Sequence, residues 1–121
     1  NIGQRQLINI ARALRKNTPV IVLYGTTDLL DTDTEQLLIR NIDSIFEGKT
    51  VIIISSKLSL VRQADHIIAL KDGCIQEQGE HEELVERDEF YAHLWDIHTG
   101  RIGAKYRDIY PEGDIRNFKP Q

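Results

Sequence analysis

The chain has 121 residues, 40% apolar and 28% charged, an ordinary globular composition that argues against wholesale disorder. Its net charge of −4 offers no general pull on nucleic acid or an acidic membrane surface. Cys74 is the only cysteine, so no internal disulfide is possible, and no run approaches the roughly 18 apolar residues of a membrane span.

Leu7, Ile10, Ala11 and Leu14 recur at helical spacing and predict an amphipathic helix over residues 4–16, ended by Asn17 and Pro19. The apolar run 20–23 then predicts a strand buried on both faces of a parallel sheet. Thr32 and Glu35 have the spacing of a capping box, with Asp31 and Asp33 favouring the positive end of the next helix. Leu38, Ile42, Ile45 and Phe46 give that helix its apolar stripe, and Gly48 stops it. Residues 51–54 repeat the buried-strand pattern, followed by a short helix over 58–63 and a strand over 67–70. Lys71, Asp72 and Gly73 signal a turn, with 75–78 as the hairpin partner.

Residues 81–87 and 89–97 read as helices, the second carrying Phe90, Tyr91, Leu94 and Trp95 on one side as core packing. Strands alternating with helices mean an α/β fold. One domain is expected over residues 1–98 and an irregular tail over 99–121. Residues 1–100 carry 10 basic and 16 acidic groups, whereas 101–121 carry 5 and 3, so the tail is mildly basic. Because the chain opens on Asn1 and enters a helix almost at once, a further portion is expected upstream.

The order of motifs resembles the ATP-binding-cassette (ABC) ATPase family, of exporter type, over about residues 1–98. Gly3-Gln4-Arg5-Gln6 followed by Ile10-Ala11-Arg12-Ala13-Leu14 resembles the signature loop and its helix. Residues 19–23 resemble the Walker B strand, Leu30-Asp31-Thr32 the D-loop, and residues 50–56 the strand leading to the switch histidine. Ala64-Asp65-His66-Ile67, Asp72-Gly73 and residues 77–84 complete the pattern. The resemblance implies the C-terminal part of a P-loop NTPase-like domain, a mostly parallel sheet flanked by helices.

The departures bear on chemistry. Where the family has Ser-Gly-Gly-Gln, this chain has Asn1-Ile2-Gly3-Gln4, which puts a β-branched side chain where backbone meets phosphate. Asn1, Gly3 and Gln4 are the remnant of that nucleotide-contacting loop. The family's Asp-Glu after the Walker B strand is Tyr24-Gly25 here. The Asp helps to hold Mg²⁺ and the Glu positions or deprotonates the attacking water; a neutral phenol and a hydrogen atom supply neither. The switch histidine is replaced by Ser56, and no G-x-x-x-x-G-K-[ST] phosphate loop occurs in these residues. Asp31 falls where the family makes cross-dimer contacts, with a helix cap as the plainer role.

Other candidates read as structural. Asp28, Asp31, Asp33 and Glu35 lack the glycine of a calcium loop, and helix-start carboxylates explain them better than a metal site. His66, His81, His93 and His98 lack paired metal spacing and read as surface or capping residues. Cys74 reads as an ordinary half-buried residue. The resulting expectation is a degenerate portion of an exporter's nucleotide-binding domain that cannot hydrolyse ATP alone. By resemblance only, it implies ATP and Mg²⁺ as cofactors, neither bound tightly here. The implied partners are a second cassette and a transmembrane domain, with no nucleic acid, at the cytoplasmic face of a membrane. Two alternatives stay open: an active subunit working with a catalytically complete partner cassette, and a non-enzymatic interaction fragment or decayed gene product.

Overall fold

A computed structural model describes residues 1–100; the tail expected beyond them lies outside the described residues. The chain divides into two compact units, Asn1–Val61 and a second beginning at Arg62.

In the first unit, α1 (Ile2–Arg15) begins in a reciprocal cap. The Asn1 Oδ1 accepts the Gln4 N–H at 3.1 Å, and the Gln4 Oε1 takes the Asn1 nitrogen at 3.2 Å. Arg12 and Arg15 complement the dipole in the last turn. β1 (Val20–Tyr24) and β2 (Thr50–Ile54) pair parallel and in register, from Val20 opposite Thr50 to Tyr24 opposite Ile54. The Lys49 ammonium donates to Asn17 Oδ1 at 3.1 Å and to the Thr18 carbonyl at 2.9 Å, so the entries to both strands are tied together.

Between the strands runs α2 (Thr32–Ile45), and after β2 comes α3 (Leu58–Val61). Ile10 of α1, Leu38 and Ile42 of α2, Phe46 and Leu60 share one apolar cluster with Ile21 and Leu23 of β1. Ile39, Val51 and Ile53 pack on its margin. The predicted two-sided burial of the strands is therefore not met. Both helical stripes take the odd-numbered strand residues, and the pleat sends Val20, Val22, Tyr24, Ile52 and Ile54 to the other face, where they are exposed.

The capping-box reading of Thr32 and Glu35 is also corrected. The N-cap is Asp31, whose Oδ1 accepts the Thr34 N–H and whose Oδ2 accepts the Thr34 hydroxyl, both at 2.9 Å. Thr32 is the first helical residue, and Glu35 turns inward to 8% exposure.

In the second unit, β3 (Ile67–Lys71) and β4 (Cys74–Gly79) form an antiparallel hairpin. Its two-residue loop, Asp72-Gly73, has both φ angles positive (52° and 77°), the geometry this sequence pair favours. Ala69 pairs with Glu77 but Leu70 with Ile75, so Gln76 is the extra residue of a bulge. Cys74 is exposed rather than half-buried, because it is the first residue past the turn, opposite Lys71.

α4 (His81–Glu86) and α5 (Phe90–Thr99) follow, the latter closed by Gly100 in the left-handed region. Phe90 and Leu94 pack with Ala69, and Tyr91 is buried. His81 is not a surface residue: it is 7% exposed, because its ring is packed edge-on against Tyr91 and Trp95. No helix among the described residues is long and apolar enough to cross a membrane.

The uncovered face of β1 and β2 is an association hazard, because it joins open strand edges to contiguous apolar side chains. The 121-residue chain alone is expected to self-associate as its concentration rises. Replacing the directly opposed Val22 and Ile52 with lysine should shift sedimentation velocity profiles toward monomer. A concentration-independent monomer in the unaltered chain would contradict this.

Candidate functional site

Parallel pairing brings the carboxyl ends of β1 and β2 side by side, the place where open α/β sheets put their ligand-binding loops. The Gly25 N–H donates to the Ile54 carbonyl at 3.3 Å, carrying the pairing one residue past Tyr24. Tyr24 itself projects from the open face at 76% exposure. Gly25 sits at φ +64°, a left-handed conformation, with open space where a Cβ would be. An L-residue there costs about 1–2 kcal/mol even without a clash. Ser56 lies two residues past the end of β2 and is exposed.

The structure brings a second group of the candidates together at the helix starts. Asn1 and Gln4 are engaged with each other in the cap of α1, and Ile2 beside them is exposed. Gly3 is buried, and a Cβ there would lie 3.2 Å from both Asn1 Oδ1 and Asp31 Oδ2. A side chain at position 3 would press on the Asn1 and Asp31 side chains, so glycine lets the Asp31 carboxylate stand close to the first turn of α1. The two hydrogen bonds from Thr34 hold the Asp31 carboxyl below its ordinary pKa of 3.8.

The strand-end loops are joined by side chains that the sequence reading did not assign. The Ser55 hydroxyl donates to Asp28 Oδ1 at 2.5 Å and accepts the Lys57 N–H at 3.0 Å. The Lys57 ammonium donates to the Leu30 carbonyl at 2.9 Å and stands 3.7 Å from the Glu35 carboxylate. The Ser59 hydroxyl donates to the other Glu35 oxygen at 2.6 Å. Ser55, not Ser56, makes the recorded contact between the two loops. The signal that could have found this network is the alternation Ser55, Lys57, Ser59, which offers three polar side chains immediately after an apolar strand. Three of the four acidic side chains near the strand ends are therefore already engaged, Asp28 with Ser55, Asp31 with Thr34, and Glu35 with Ser59 and Lys57, whereas Asp33 stands exposed in the first turn of α2. Among the described residues no group of three or more His, Cys, Asp or Glu side chains is placed to hold a metal ion.

Breaking this network should cost more than an exposed ion pair, because Glu35 is buried and would keep a charge without its cation. Lys57→Ala is expected to destabilise the first unit by about 1–3 kcal/mol, since it strips Glu35 of a partner and the Leu30 carbonyl of a donor. Urea unfolding should show Glu35→Gln combined with Lys57→Met to be milder than Lys57→Ala. Additive losses from the two sites would refute the coupling.

Three comparisons place these features among known proteins. No family model matches the chain. It is 42% identical over 98 residues to the ATP-dependent lipid A-core flippase of Vibrio vulnificus, a match spanning 81% of this chain and 17% of the flippase. It is 43% identical over 98 residues to the Escherichia coli alpha-hemolysin translocation ATP-binding protein HlyB, spanning 80% of this chain and 14% of that protein. Among solved structures, a bacterial Atm1-family ABC exporter with ATP bound matches at a TM-score of 0.73 with 36% identity, over 78% of this chain and 17% of that one. The chain thus spans only about a sixth of the length of these relatives.

Proposed function

The homologues of this chain are ATP-binding proteins of ABC exporters, and from that premise we propose that it serves as a degenerate portion of an exporter's nucleotide-binding domain, associated with ATP-dependent transport but unable to hydrolyse ATP on its own. The observation that carries the second half of this reading is at the end of β1. The resemblance puts a metal-holding carboxylate and a water-positioning carboxylate where this chain has Tyr24 and Gly25. Asp28, Asp31 and Glu35 cannot stand in without giving up their own contacts within the loops, and Asp33, exposed in the first turn of α2, is a single carboxylate. A hard divalent cation wants carboxylate oxygen, and Tyr24 and Gly25 offer none at the end of β1.

Phosphoryl transfer rests on positioning and charge neutralisation, so losing both carboxylates removes most of its catalysis. Ser56 offers a hydroxyl where a cationic-capable imidazole would contact the terminal phosphate. Asn1, Gly3 and Gln4 keep a capped helix start, but Asn1 and Gln4 bond to each other and the Asp31 carboxylate crowds Gly3. A negative side chain at that turn works against a phosphate. Asp31 is accordingly proposed as a structural tie between the α1 and α2 starts, with contact to a second cassette as its further role. The partners in this reading are a second ABC cassette and a transmembrane domain that holds the chain at the cytoplasmic face of a membrane.

The purified chain is expected to release inorganic phosphate from Mg²⁺-ATP no faster than a mock preparation. Tyr24→Asp combined with Gly25→Glu should not restore turnover, and should lower thermal stability because residue 25 holds a left-handed φ. Phosphate release by either protein, resistant to further purification, would overturn the reading.

A further inference from the structure

The second unit contains an ionisable pair that the nucleotide chemistry does not use. His81 opens α4 and is buried, and its Nδ1 is 2.9 Å from the Tyr91 hydroxyl on α5. The two rings meet edge-on, with centroids 5.7 Å apart, and the same imidazole stands edge-on to Trp95 at 4.5 Å. One side chain thus touches two residues a helical turn apart on α5 and fixes how α4 lies on it. His81 also lines a cleft of about 200 Å³ with Arg62, Ala64, Asp65, Glu80 and Glu82. That opening gives protons a route to a ring that is otherwise enclosed.

We propose that the His81–Tyr91 contact is an acid-sensitive latch: the neutral imidazole holds α4 against α5, and its protonation loosens that junction. The groups around it set the direction. From the segment before β3, Arg62 lies over the Trp95 ring at 5.5 Å and repels a second cation, while Asp65 lines the cleft. From β4, one oxygen of the Glu77 carboxylate accepts the Tyr91 N–H at 2.7 Å, and the other is buried without a hydrogen-bond partner. Glu82, on His81's own helix, favours the charged form, and both it and Glu80, which lines the cleft, are exposed. Burial is the larger influence, followed by Arg62, and together they hold His81 below its ordinary pKa of 6.5 despite Glu82. Burial pushes the Tyr91 hydroxyl up to about 12, so it stays protonated throughout.

The sign follows from linkage. A base whose folded pKa is depressed binds more protons when unfolded, so stability rises with pH between the folded and unfolded values. His81 contributes its full stabilisation above about pH 6.5, and the loss is complete once pH has fallen below its folded value.

Trp95 is the only tryptophan in the chain, and a protonated imidazole at its edge quenches indole emission, so the latch reports on itself. On acidification from neutral pH, the chain's Trp95 emission and the urea midpoint of the second unit should fall together. His81→Gln, which keeps a polar partner for Tyr91 but cannot titrate, should remove both changes. His98 also lies 5.5 Å from Trp95, so the step must survive in His98→Gln. If His81→Gln does not fold, the His81 ring resonance followed by NMR in the unaltered chain decides instead. Titration at or above the value of a free imidazole would overturn the latch, as would a step abolished by His98→Gln.

Discussion

The in-register parallel pairing of Val20–Tyr24 with Thr50–Ile54 is the constraint from which the first unit follows. Side chains alternate with a period of two, so this register decides at once which residues meet the helices and which loops become neighbours. Ile21 and Leu23 are drawn under α1 and α2, and the loops after Tyr24 and Ile54 emerge together. A slip by one residue would expose Ile21 and Leu23, bury Tyr24 and part Asp28 from Ser55.

The polar network is the second layer built on that register. Its members come from segments nearly thirty residues apart in sequence, yet each bond is short because the strands end level. Lys57 is the centre: one ammonium satisfies the Leu30 carbonyl just before α2 and neutralises Glu35 within it. In the second unit Glu77 has a comparable place. It is 6% exposed on β4 and accepts the Tyr91 N–H, one of the open donors at the start of α5, whose own N-cap Glu89 makes no side-chain bond. A carboxylate from a neighbouring strand thus does the work of a helix cap.

What was legible in the sequence follows the range of the interaction. The parallel strands, the Asp72-Gly73 turn and the five helices are written in local pattern, and all are found near their predicted places. The start of α2 carries two readings, a Thr32–Glu35 capping box and a plain cap at Asp31; both residues are good caps, and the bonds to Thr34 decide for Asp31. Two-sided burial of the strands was inferred from apolar runs, but a run says that both faces are apolar, not that both are covered. His81 and Glu77 were illegible for a common reason. Each is a polar residue whose burial is set by a partner on α5, and local pattern assigns polar residues to the surface. The role of the residues at the strand ends was read from family resemblance; the structure adds their surroundings.

Those surroundings bear on the proposed replacement of acidic residues at the strand ends. Gly25 holds a left-handed φ, and Asp28, Asp31 and Glu35 are bound into contacts within the loops. Placing a carboxylate at position 25 would carry a backbone cost, and freeing Asp28 or Glu35 would unpick the joint between the loops. Both caps use residues that the resemblance assigns to the site, Asn1 and Gln4 at α1 and Asp31 at α2, whereas the core and the Lys57 ties depend on other residues. The fold can therefore persist with Tyr24, Gly25 and Ser56 in place, because none of its main supports passes through them.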